Sequence, residues 1–113
     1  MFKWLKEKGT LAVRKTCELN IRLNTKGVVF VANRAYSNLQ ASGFVPIKSD
    51  QRDVHNAQEA LLTDVMLGHA NGLSLEVITS QVIIPTLATL EVTEGAKQAL
   101  DHVMKTAADK LAG

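Results

Sequence analysis

Few residues in this chain have the types and spacing to do chemistry, and the histidines come first. There are three of them. His55 lies four residues before Glu59, and Gln98 four before His102, so each pair shares one face if those segments are helical. Two such faces brought together would offer imidazoles and a carboxylate to zinc or iron. Glutamine is a poor ligand, however, and neither a His-Glu-x-x-His nor a Cys-x-x-Cys element occurs. No metal and no cofactor is expected. His69 sits just before Asn71-Gly72, where a cation suits the negative end of a helix without binding anything.

Nucleophilic chemistry fares no better. Cys17 is the only cysteine and has no neighbouring histidine. It falls on the apolar side of its segment whether that segment is helix or strand, which reads as a buried, inert thiol. Serine, histidine and aspartate are all present, but no Gly-x-Ser-x-Gly elbow arranges them. The seven glycines are scattered, mostly where helices should end, which excludes a Walker or Rossmann phosphate loop. Asp50, Asp53, Glu59 and Asp64 lie on one expected helix, and the simplest reading is its solvated face. The balance leans away from an enzyme, and no catalytic residue is assigned.

Charge is more informative. Net charge is only +2, yet the first 26 residues hold seven basic groups against two acidic, while the other 87 hold six basic against nine acidic. Lys6, Lys8, Arg14, Lys15, Arg22 and Lys26 are the candidate contacts to an anionic partner, with Lys3 beside them. Asn20, Asn24 and Asn33 would add polar contacts. Only five aromatic residues are available for base stacking and no helix-turn-helix or RNP-type element is visible, so nucleic acid is the alternative partner rather than the first. Phe2, Trp4 and Leu5 among Lys3, Lys6 and Lys8 form a short basic-aromatic segment that suits a membrane interface or a docked partner, but the favoured reading is a cap that tucks Trp4 onto the domain.

These residues need elements to position them. The length of 113 residues suits one domain with one core, spanning 1–113. A helix is expected between Ser49 and Asn71, capped by Ser49 or Asp50 and stopped by Asn71-Gly72, with Val54, Ala57, Leu61, Val65 and Gly68 on its inner face. A second runs from Thr93 as N-cap to Leu111, through Ala96, Ala99, Leu100, Val103, Met104 and Ala107. A third covers Val28 to Ser42 and ends at Gly43 in a Schellman stop.

Two segments are ambiguous. Cys17, Leu19, Ile21 and Leu23 alternate with polar residues as a strand does, and Asn24-Thr25-Lys26-Gly27 would make a hairpin turn. Yet Val13, Cys17, Ile21, Asn24, Val28, Val31 and Ala35 also form a helical stripe. From Leu73 to Val92 β-branched residues abound, but the stretch contains no Gly, Asn or Asp to supply a turn, only Ser80-Gln81 and Pro85. A mostly buried helix, capped by Ser74 and interrupted at Pro85, is the better reading. The fold class is therefore mainly α, a compact bundle of four or five helices, with an α+β fold containing an N-terminal β-hairpin as the alternative.

The longest uncharged run of the second half, Val77 to Leu90, has 14 residues and is too short to span a membrane, which takes about 20. The charged N-terminus lacks the apolar stretch of a secretory signal, so the expected location is cytoplasmic. The expected function is a non-enzymatic interaction or adaptor protein, self-associating or bound to a protein partner. Trp4, Val82, Ile83 and Ile84 are its candidate interface, because the apolar stripes offer more hydrophobic surface than a small bundle easily hides. A nucleic-acid-binding regulator that uses the basic N-terminal quarter is the alternative.

Overall fold

The computed structural model describes the backbone from Phe2 to Gly113 and the side chains from Leu11 onward. Helix α1 runs Phe2–Ala41, α2 Lys48–Ala70, α3 Leu75–Val77, a π-helical stretch Ile78–Ile83, α4 Ile84–Leu87 and α5 Glu94–Ala112. No strand occurs among the described residues. The protein is a helical bundle, and its buried side chains form one core drawn from α1, α2, the 73–83 segment and α5.

The N-terminal β-hairpin alternative does not hold. Residues 17–31 lie inside α1, and the side chains expected to turn the chain are used within the helix. Thr25 is fully buried and donates its hydroxyl to the Ile21 carbonyl oxygen at 2.7 Å. Asn24 donates from Nδ2 to the Asp64 carboxylate across the interface with α2. Strand-like alternation arose because α1 carries two apolar rows. Cys17, Ile21 and Val28 enter the core, whereas Leu19 and Leu23 point outward. The expected Val28 to Ser42 helix is thus the last part of a longer one, ended by Gly43 at φ +70. Phe44 N–H returns to the Leu39 oxygen and Gly43 N–H to the Gln40 oxygen, the paired bonds of a Schellman motif.

Helices α1 and α2 form an antiparallel αα-hairpin with a polar seam. Asn24 meets Asp64, Arg34 meets Asp53 at 2.9 Å and Asn38 meets Asp50 at 2.9 Å, so each step forward on α1 is a step backward on α2. Three of the carboxylates read as a solvated face, Asp50, Asp53 and Asp64, therefore mark the register, while Glu59 is exposed as expected. No side chain caps α2 at its start, where Ile47 is the N-cap and Asp50 instead accepts from Asn38. At its end Gly72, at φ +96, closes a second Schellman motif, with Leu73 N–H on the Gly68 oxygen and Gly72 N–H on the His69 oxygen.

The 75–87 segment is helical, begins with Ser74 accepting from Val77 N–H, and changes register before Pro85. In an α-register Pro85 would have to donate to the Gln81 carbonyl, but proline has no N–H and its ring crowds that oxygen. The chain widens instead, so that Ile84 N–H reaches the Thr79 oxygen, and the Thr86 hydroxyl takes the Val82 carbonyl at 2.7 Å. Helix α5 starts as expected, with Thr93 accepting from Ala96 N–H. Its small inner residues bring it close to α1, where a Cβ on Gly95 would stand 2.9 Å from Tyr36 Cβ.

Candidate functional site

The expected contacts divide sharply once placed. Trp4, Lys6 and Lys8 have side chains outside the described residues. Arg14 is half-buried and structural: its Nε donates to the Asn71 carbonyl oxygen at 2.8 Å, and its guanidinium lies across Gly72 at the negative end of α2. Lys15, Arg22 and Lys26 are exposed on α1. Asn24 and Asn33, expected to face a partner, are engaged within the fold.

The expected interface on the 73–92 segment is corrected. Val82 is 1% and Ile83 4% exposed, both inside the core, and only Ile84 is open at 55%. The apolar excess of that segment is taken up by α1 and its neighbours, since the π-helical stretch packs against α1.

Unspent apolar surface lies elsewhere. Leu19, Leu23 and Phe30 on α1 are 55%, 57% and 68% exposed. At 3.6 residues per turn these three fall within about 40° of one another around the helix, and Lys15, Arg22 and Lys26 fill the adjoining sector of about 40°. No acidic residue shares either sector; Glu18 lies roughly 40° beyond Arg22. The Arg34 guanidinium sits 5.9 Å from the Phe30 ring centroid, and Arg34 is itself held by Asp53. Sequence reasoning assigned the cations but missed the apolar row beside them. Its signal is the alternation at 17–23, which fits a strand as well as a helix with a second, outward apolar row.

A second apolar feature is the tip between α1 and α2, where Phe44 and Val45 are 68% and 62% exposed. Below it a cavity of about 420 Å³ opens between Tyr36 and Leu39 of α1, Ile47, Val54 of α2 and Gln98 of α5. Its one carboxylate, Asp50, is already engaged by Asn38, and no histidine or cysteine lines it. His55, His69 and His102 are all exposed, and Cys17 is buried with a free thiol. Among the described residues no three metal-ligating side chains converge, and no helix is long and apolar enough to cross a membrane.

Comparison with protein-family models, with curated proteins and with solved structures finds no match.

Proposed function

We propose that the protein is a non-enzymatic interaction protein whose working surface is the outward face of α1, and whose partner is anionic. The observation that carries this reading is the pairing, on one helix face, of three exposed apolar side chains with three exposed cations and no carboxylate. Covering Leu19, Leu23 and Phe30 would be worth on the order of 3 kcal/mol. Each cation near an anionic surface would add about 1 kcal/mol at low salt. A buried free thiol on Cys17 suits the reducing, cytoplasmic location that belongs to this proposal.

Self-association was expected from Val82, Ile83 and Ile84, of which only Ile84 reaches the surface. A symmetric pairing of α1 with a second α1 would set Lys15, Arg22 and Lys26 against cations of the same kind, which opposes it. The test is retention on heparin at low salt. The wild-type protein is expected to bind and to elute as salt rises, and K15E/R22E/K26E to pass through while keeping its helical circular dichroism. Unchanged retention of that variant, or no retention of the wild type, would overturn the reading.

A further inference from the structure

We infer that the anionic partner of the α1 face is a lipid surface, on which α1 lies parallel to the membrane plane. The inference rests on the docking role proposed above and adds the occupant. Its basis is the order of side chains around the helix. Leu19, Leu23 and Phe30 share one face of α1, each open to solvent by more than half, and Lys15, Arg22 and Lys26 line the adjoining face.

A polyphosphate chain would use the cations but leave the two leucines in water, and Phe30 alone offers little for base stacking. An anionic bilayer uses both rows, because leucine and phenylalanine enter the boundary between headgroups and acyl chains while lysine and arginine meet the headgroup phosphates and carboxylates. The face lies on a surface rather than spanning it, since among the described residues no helix is long and apolar enough to cross a membrane. The residues that hold the rows in place are independent of the face itself. Asn24 bonds Asp64 of α2 on the inner side of α1, so the outward row is presented by a hairpin that is already packed on its other side. The N-terminal sequence continues the composition, with Phe2, Trp4 and Leu5 among Lys3, Lys6 and Lys8.

The experiment is co-sedimentation with vesicles of phosphatidylcholine alone or mixed with phosphatidylserine. Duplex and single-stranded DNA are assayed in parallel. Three chains are compared: the wild type, K15E/R22E/K26E, and L19S/L23S/F30S, which keeps every cation. All substituted positions are exposed, and circular dichroism confirms folding. The wild type is expected to sediment with the anionic vesicles only. Each variant should lose more than about tenfold in vesicle affinity, while L19S/L23S/F30S keeps its retention on heparin. If the wild type holds heparin but ignores both vesicle types, the lipid inference fails and the docking reading survives. Vesicle binding that is indifferent to L19S/L23S/F30S, or DNA binding in its place, overturns the inference equally. A wild type that binds neither heparin nor vesicles overturns both.

Discussion

Arg14 donates its Nε–H to the carbonyl oxygen of Asn71 at 2.8 Å, which ties the first half of α1 to the end of α2. The bond takes Arg14 out of the basic group that a linear reading of the chain assembles. A charged donor to a partly buried carbonyl is worth about 1.5 to 3 kcal/mol, and its position at the negative end of α2 adds to that. Arg14→Ala is therefore expected to lower unfolding free energy by roughly 2 kcal/mol in a urea titration while leaving heparin retention nearly intact. A variant as stable as the wild type would remove this role.

Asn33 is the corresponding tie at the other end of the bundle. Its Oδ1 accepts from Thr93 N–H at 3.0 Å and from the Thr93 hydroxyl at 2.7 Å, and its Nδ2 donates to the Glu91 oxygen at 2.8 Å. Thr93 is also the N-cap of α5, so one amide orders both the link and the helix start. Asn33→Ala should cost about 2 to 3 kcal/mol, and hydrogen exchange at Ala96 N–H should quicken first. Exchange that quickens uniformly across α5 would speak against a local tie.

Val82 and Ile84 stand two residues apart and have opposite surroundings, 1% and 55% exposed. Val82→Glu would bury an unpaired carboxylate and is expected to abolish cooperative folding, seen as loss of the thermal transition. Ile84→Glu should change stability by less than about 0.5 kcal/mol. A V82E protein that keeps a cooperative thermal transition would contradict the buried placement of Val82.

Two glycines make a matched pair. A Cβ at Gly95 would press on Tyr36 Cβ at 2.9 Å, whereas a Cβ at Gly27 meets nothing within 4 Å. Gly95→Ala is expected to destabilise by about 1 to 3 kcal/mol, because the contact is with a main-chain-anchored carbon that cannot swing aside. Gly27→Ala is expected to stabilise by up to about 1 kcal/mol, the usual gain in a helix interior. Thermal melts of the two variants check the sign of each.

The parts of the fold that were legible in the sequence are those set by local chemistry. Thr93, Ser74 and Gly43 each do at their helix ends what their residue types dictate, and the stripe from Ala96 to Ala107 faces inward as its spacing requires. What escaped depends on partners distant in sequence. Asp50, Asp53 and Asp64 look solvated until Asn38, Arg34 and Asn24 lie opposite them. Leu19 and Leu23 count as core in any hydropathy pattern, and only the packing of α2 and α5 on the other side of α1 leaves them outside. The π-helical stretch follows from Pro85, whose effect on register upstream was readable only as an interruption.

The most direct test of the account compares two charge-matched triple variants on heparin across a salt gradient. K15E/R22E/K26E and R52E/K97E/K105E change net charge equally, and all six positions are exposed. If α1 carries the working face, the first variant elutes at far lower salt than the second, which stays close to the wild type. Equal losses in both would mean that net charge alone governs binding and would contradict a dedicated face on α1.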